Sequence, residues 1–298
     1  MSNSIHDFSK DLVAIVAQNG ASIVEIDAGH PRGASGLVWS SDGIILTAAH
    51  KLAREEDLEV GLEGGARAKA KLLGVDAALD LAVLKVELSG LKAVTLRPEL
   101  PAVGELVVAL ARPGKTVRAA LGMVSTVSKG EWRTPGGGRL DRYVESDIGG
   151  RVGFSGGLLV DADGRGLGLN TGGLARGASL TILRAALERA VPAIIAHGGA
   201  RRGFLGIAAQ SIPLERSLST AAGQGRGLIV LRTEEDGPAE RGGILVGDVV
   251  LSIDAQPTGD MRELIAALDE SRIDKEVPLR VLRGGQSLEV SVKVEAKR

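Results

Sequence analysis

The spacing of apolar positions changes several times along the chain. In residues 8–18, FSKDLVAIVAQ, Leu12, Val13, Ile15 and Val16 fall on one broad face and predict a helix. From about residue 22 to 175 the apolar residues instead come in short runs rich in β-branched side chains: GLVWS, GIILTAA, LAVLKV, ELVVALA, MVSTVS and GLLV. Turn signals separate them, SSDGI at 40–44, RPGK at 112–115, TPGGGR at 134–139 and DADGRG at 161–166. Many short strands at regular turns predict a barrel or sandwich rather than a parallel sheet with long crossover helices. Helical spacing returns over 179–197, SLTILRAALERAVPAIIAH, with Ser179 as candidate N-cap and Pro192 placed to kink or divide the helix.

GGARRG at 198–203 is the best domain boundary in the chain, a flexible joint. A second unit follows. It reads as strands FLGIAAQ and GLIVLRT, a short helix at DGPAERGG, a hairpin-like DVVLSIDAQP, an amphipathic helix DMRELIAALDES, and two closing strands, VPLRVLRGG and SLEVSVKVE. The expected division is a first domain at 1–197, a linker at 198–203 and a second domain at 204–298.

Composition narrows the function classes. At 298 residues the chain suits two domains, and 44% apolar residues supply a sizeable core. Only 2% are aromatic, so that core must be aliphatic. The formal net charge of −1, with no basic stripe, argues against nucleic acid as a partner. The absence of cysteine excludes disulfides, thiolate nucleophiles and Cys-ligated zinc. The first residues lack a basic segment and a long apolar run, and no stretch reaches the ~20 apolar residues of a membrane helix. The expectation is a cytoplasmic protein as the chain is written, or a periplasmic or otherwise extracytoplasmic one if a leader has been removed.

Candidate chemistry centres on RVGFSGGLLV, residues 151–160, where Gly153 to Gly157 satisfy G-x-S-x-G. The pentapeptide fits an α/β-hydrolase elbow, a chymotrypsin-like loop, or a plain β-turn. A serine nucleophile needs a base. Of four histidines, His6 lies near the N-terminus, His30 precedes Pro31 in a loop, and His197 ends a helix beside the linker. Only His50 closes a strongly apolar strand, at what would be a barrel rim. Asp80, directly before the apolar run LAVLKV, is the candidate for orienting the imidazole; a strand-end Asp capping a turn is the bland alternative. An elbow requires a helix after the serine, with the order Ser, acid, His. Here the residues after Ser155 read as strand, turn, strand. The order His50, Asp80, Ser155 is that of the chymotrypsin-like double β-barrel. A helix running through Gly156 and Gly157 would restore the hydrolase reading, and a hairpin at 158–170 would remove it.

These segments together resemble the HtrA/Deg family of serine proteases. ASGLVWSSDGIILTAAH is similar to the family's histidine segment, DLAVLKV to its acid motif, ALGMVSTVSKG to its G-x-V-S strand, and ESDIGGRVGFSGGLLVDADGRGLGLNT to its serine segment, ungapped from Ser146 to Thr171. RGFLGI and GPAERGGILVGDVVLSIDAQP resemble the family's PDZ domain. The resemblance implies a mainly β protein, a chymotrypsin-like double β-barrel followed by an α+β PDZ domain. It implies His50 as general base, Asp80 as its orienting acid, Ser155 as nucleophile, and the backbone N–H groups of Gly153 and Ser155 as oxyanion hole. No metal, nucleotide or other cofactor is implied. Substrates would be unfolded or misfolded proteins, cleaved without ATP, and the assembly a homotrimer or a multiple of one.

In the PDZ unit the resemblance points to Phe204, Leu205, Gly206 and Ile207 for the peptide carboxylate, facing a helix at about 260–269 that carries Leu264, Ile265 and Leu268. Which of those three line a groove and which fill the core stays open in the sequence. Three features depart from the family pattern: Phe154 in place of Asn before the serine, Lys51 in place of an apolar residue after the histidine, and IGGRV in the oxyanion loop. They leave every catalytic atom in place and bear on loop geometry. The alternative they keep open is a proteolytically weak or inactive HtrA-like protein, working as a PDZ peptide-binding scaffold or chaperone.

Overall fold

The computed structural model describes residues 3–296, apart from 31–32, 135–138, 150, 176, 200–202, 216–217, 220–222 and 269. The chain divides into two compact units, one reaching Gly199 and one beginning at Ala200. The expected linker at 198–203 therefore falls partly outside the described residues.

The first unit opens with α1 (Asn3–Gly20). Ile15 and Asn19 near its end are buried, and the Asn19 amide donates to the carbonyls of Ile15 and Gly164, tying the helix end to a distant turn. Six strands then close a barrel: β1 (Ile23–Asp27), β2 (Ala34–Ser40), β3 (Ile44–Ala48), β4 (Leu58–Gly61), β5 (Arg67–Asp76) and β6 (Leu81–Val86), in the order β1-β2-β3-β6-β5-β4. A second barrel uses β7 (Leu106–Ala111) and β8 (Arg118–Val127). After the small hairpin β9 (Trp132–Arg133) and β10 (Arg139–Leu140), it adds β11 (Tyr143–Ser146), β12 (Leu158–Asp161), β13 (Gly166–Thr171) and β14 (Ser179–Leu183). Its order is β11-β14-β13-β12-β7-β8, and all pairings in both barrels are antiparallel.

The two faces of each strand have different destinations. In β1 to β3, Val24, Val38 and Ile45 fill the first barrel, while their neighbours Ile23, Leu37 and Leu46 point outward. In the second barrel Val107, Ala109 and Leu159 point inward, while Val108, Leu110, Leu158 and Val160 point outward. The outward sets of both barrels join one aliphatic cluster, so strands such as β3, β12 and β13 are buried on both faces. This is why they read as continuous apolar runs rather than as an alternation.

β12 and β13 form a hairpin, Leu158 opposite Leu169, so no helix follows Ser155 and the α/β-hydrolase elbow is removed. The helix expected over 179–197 begins later. Residues Ser179–Leu183 form β14, and α2 runs from Arg184 to His197 with Leu183, not Ser179, at the N-cap position. β14 lies between β11 and β13, and its Thr181 hydroxyl donates to Asn170 Oδ1 at 2.9 Å, so tertiary pairing overrides helical spacing. Pro192 sits inside α2 without dividing it.

The second unit contains β15 (Gly203–Phe204), β16 (Ile207–Pro213), β17 (Arg226–Thr233), the short α3 (Pro238–Arg241), β18 (Val249–Ile253), β19 (Gln256–Pro257), α4 (Met261–Ala267), β20 (Glu276–Arg283), β21 (Gln286–Lys293) and β22 (Glu295–Ala296). Its sheet runs β16-β17-β18-β20-β21, with β19 beside β18, and β16 at one edge. Leu205, Val230, Ile253, Leu264, Leu279 and Val292 belong to its core.

Candidate active site

His50 lies just beyond β3, in a 3-10 turn spanning Ala49–Lys51. The partner across the ladder is Leu81 opposite Ala48, so the start of β6 is held beside that turn. Asp80 precedes β6 with a left-handed φ of +55°, a strained conformation for a residue with a Cβ. The surroundings enforce it. The Asp76 carboxylate accepts N–H bonds from Ala78 and Leu79 at 3.0 and 3.1 Å, and Asp80 O accepts the Ala49 N–H at 3.0 Å.

That geometry aims the Asp80 carboxylate at the imidazole. Oδ1 accepts the His50 backbone N–H at 2.8 Å, and Oδ2 lies 2.7 Å from His50 Nδ1. An ionised carboxylate only accepts, so Nδ1 carries the proton and Nε2 is left as the acceptor. The Asp80 side chain is 6% exposed and that of His50 34%: the acid is shielded and the base faces outward. A third donor completes the carboxylate's shell. The buried Thr171 hydroxyl at the end of β13 bonds Asp80 Oδ2 and itself accepts the Gly173 N–H at 2.9 Å.

Ser155 stands in the loop between β11 and β12, on the second barrel. Its Oγ accepts the Gly172 N–H at 3.2 Å. A Cβ added to Gly172 would lie 3.6 Å from Ser155 Oγ, and one added to Gly173 would strike Asp80 Oδ2 and come within 2.7 Å of His50 Nδ1. The glycine pair thus abuts all three side chains at once, and the structure brings His50, Asp80 and Ser155 to one place. Among the described residues no hydrogen bond joins Ser155 to His50, a contact that tightens in substrate complexes of such sites.

The loop around the serine divides its amides into two sets. Phe154, Gly156 and Gly157 donate to the carbonyls of Arg151, Asn170 and Phe154, at 3.4, 2.8 and 3.0 Å. The N–H groups of Gly153 and Ser155 donate to no acceptor among the described residues. Gly153 has φ +88°, and a Cβ there would meet Pro113 at 2.7 Å, so only glycine fits. The half-buried Phe154 ring packs against the interior of the second barrel, which includes Val107, Val144 and Leu159. Of the IGGRV segment, Gly150 is outside the described residues.

In the second unit, Phe204 pairs with Glu295, and Leu205 and Gly206 lead into the edge strand β16. Gly206 has φ +74° and its carbonyl accepts the Glu234 N–H at 2.7 Å. Leu205, Leu264 and Leu268 are buried in the core, whereas Ile207 and Ile265 are half-buried. The structure therefore separates what the sequence leaves together: the helix ends at Ala267, short of the expected 269, with Leu268 just beyond it, and of the three apolar residues Ile265 alone keeps partial exposure.

Neither Thr171 nor Ser35 stands out in the sequence. Thr171 is a buried hydroxyl closing an otherwise apolar strand, and that was its only signal. Ser35 is wholly buried in β2 and bonds the carbonyl of Gly153 at 2.8 Å. Among the described residues, no three His, Asp or Glu side chains are grouped to hold a metal, and no helix is long and apolar enough to cross a membrane.

Two six-stranded antiparallel barrels sharing a His–Asp pair and a loop serine define the trypsin-like class of peptidases. Residues 34–169 match the trypsin-like peptidase domain and residues 203–294 the PDZ domain. The solved structure described as HtrA-type protease AlgW with tripeptide is 30% identical with TM-score 0.68, the likeness covering 96% of this chain and 97% of that one. The chain belongs to the HtrA family of serine proteases. AlgW with decapeptide matches at 28% identity and TM-score 0.71, over 96% of this chain and 98% of that one. The Halomonas elongata protein described as a probable periplasmic serine endoprotease, DegP-like, is 32% identical over 267 residues, 87% of this chain and 56% of its own. The chain spans about half the length of the curated relatives it matches.

Proposed function

We propose that the protein is a serine endopeptidase that cleaves unfolded or misfolded proteins without ATP. One observation carries the reading: a His50–Asp80–Thr171 network stands beside Ser155, next to a loop whose Gly153 and Ser155 amides have no acceptor among the described residues. His50 Nε2 takes the Ser155 proton as Oγ attacks a peptide carbonyl. Asp80 holds the ring in the needed tautomer and stabilises the imidazolium. The two amides receive the oxyanion. The imidazolium then protonates the leaving amine, and water, activated by the same ring, releases the acyl group.

The working domains are the peptidase at 1–197 and the PDZ domain at 204–298, joined through 198–203. The PDZ domain binds peptide C-termini, with the carboxylate at Phe204, Leu205, Gly206 and Ile207 and the chain added along the edge strand β16 towards Leu264 and Ile265 of α4 and Leu268 just beyond it. The periplasm, named for the relatives, and a homotrimer built through the peptidase domains complete the proposal.

Digestion of unfolded casein by the purified full chain tests it, with Ser155→Ala as control. The wild type is expected to produce fragments and Ser155→Ala none. A wild type inactive under every condition while still binding C-terminal peptides would establish the scaffold reading instead.

A further inference from the structure

Ser35 belongs to the first barrel, opposite Glu25 in the β1–β2 ladder, yet its side chain serves the second. Its Oγ lies 2.8 Å from the carbonyl oxygen of Gly153 and 2.9 Å from the backbone nitrogen of Arg112. The direction of both bonds is forced. The Arg112 N–H can only donate, so it occupies a lone pair of Oγ, and the single hydroxyl proton is left for the Gly153 carbonyl. Ser35 is itself held. Its carbonyl accepts the Thr47 hydroxyl at 2.7 Å, and its relative exposure is 0%.

Arg112 is equally fixed. It is 2% exposed, and its guanidinium donates to Ile23 O at 2.8 Å, Lys115 O at 3.0 Å and Gly20 O at 3.1 Å. The donor to Ser35 is therefore anchored to β1 and to the last carbonyl of α1. Pro113, the next residue, stands against the Cα of Gly153.

We propose that Ser35 is a positioning residue for the oxyanion loop, its hydroxyl pinning the Gly153 carbonyl to the first barrel so that the Gly153 N–H stays aimed at substrate. This rests on the peptidase reading above. Gly153 has no Cβ to restrict it, so both of its backbone torsions are soft. With the carbonyl fixed, rotation about ψ is blocked and only φ remains, and Pro113 walls that side. Without the hydroxyl, the Gly153 carbonyl and the Arg112 N–H both become buried groups lacking a partner, and the loop gains a reason to turn over.

The test compares wild type with Ser35→Ala in the full chain, at a temperature where urea titration shows both folded. On a short peptide substrate, kcat is expected to fall about tenfold with KM within about twofold, since an oxyanion donor acts in the transition state. Affinity for a peptide boronic acid, which forms a tetrahedral adduct on Ser155, should fall by the same factor. Binding of the matching cleaved peptide should not change. Amide hydrogen exchange over 151–157 should be at least about tenfold faster in Ser35→Ala, while exchange in β3 and β6 is unaltered. Unchanged exchange in that loop overturns the inference whether or not the wild type digests anything, and so does an unchanged kcat in an active enzyme. Exchange that rises in Ser35→Ala beside a wild type inactive on every substrate supports the anchor and overturns only the peptidase reading.

Discussion

At the scale of the residue, the Asp80 carboxylate is held by three groups from two barrels. It receives the His50 backbone N–H, the His50 ring and the Thr171 hydroxyl. Thr171→Val removes one donor and keeps the volume. It should lower kcat on casein-derived peptides by about tenfold with little change in KM, and Thr171→Ser should restore most of the loss. Full activity in Thr171→Val with a loss in Thr171→Ser would mean that Thr171 serves packing alone. That His50, Asp80 and Ser155 come to one place was legible, because each sits in a patterned segment and the three occur in a diagnostic order. Thr171 was not, since its partner lies 91 residues away and a threonine closing a strand is ordinary. Ser35 was hidden for the same reason, its acceptor being 118 residues distant.

At the scale of the element, strands and turns were legible from alternating runs and glycine punctuation, but the start of α2 was not. SLTIL carries a run that fits a helix or a doubly buried strand, and only its neighbours β11 and β13 decide. Charge pairing between elements was also invisible in the sequence. Asp248, 1% exposed by side chain, precedes β18 and accepts two bonds from Arg283 at the end of β20, each at 2.8 Å, and one from the Leu245 N–H at 2.8 Å. The Arg283 guanidinium holds the Asp248 carboxyl below the usual carboxylate range. A carboxylate with a depressed folded value stabilises above its unfolded pKa, about 4, and loses that contribution as pH falls through the folded value. Asp248→Asn should therefore unfold at lower urea than wild type at pH 6, the two converging towards pH 3. Circular dichroism of the full chain at both pH values measures this, and a constant offset would assign the loss to packing.

At the scale of the whole molecule, the sequence already carried two units and a double barrel. What it could not carry was the partition of each strand's two apolar faces between a barrel interior and the layer joining the barrels, because both are equally aliphatic. The same limit applied to the helix of the PDZ unit, where burial now distinguishes neighbours. Leu264→Ala should destabilise that unit by about 2–5 kcal/mol, as a large-to-small core change does. Ile265→Ala should leave the urea midpoint within error yet weaken binding of a C-terminal peptide severalfold, read by fluorescence anisotropy. The reverse pattern would move the groove elsewhere.

The distribution of the site over both barrels also bears on biosynthesis. His50 and Asp80 belong to the barrel made first, while Ser155, Thr171 and the paired glycines come from the one made second. A nascent chain that has folded only its first barrel holds a base and an acid with nothing to activate. In the proposed peptidase, base and nucleophile therefore meet only when the second barrel docks, and a copy that has made only the first lacks the serine.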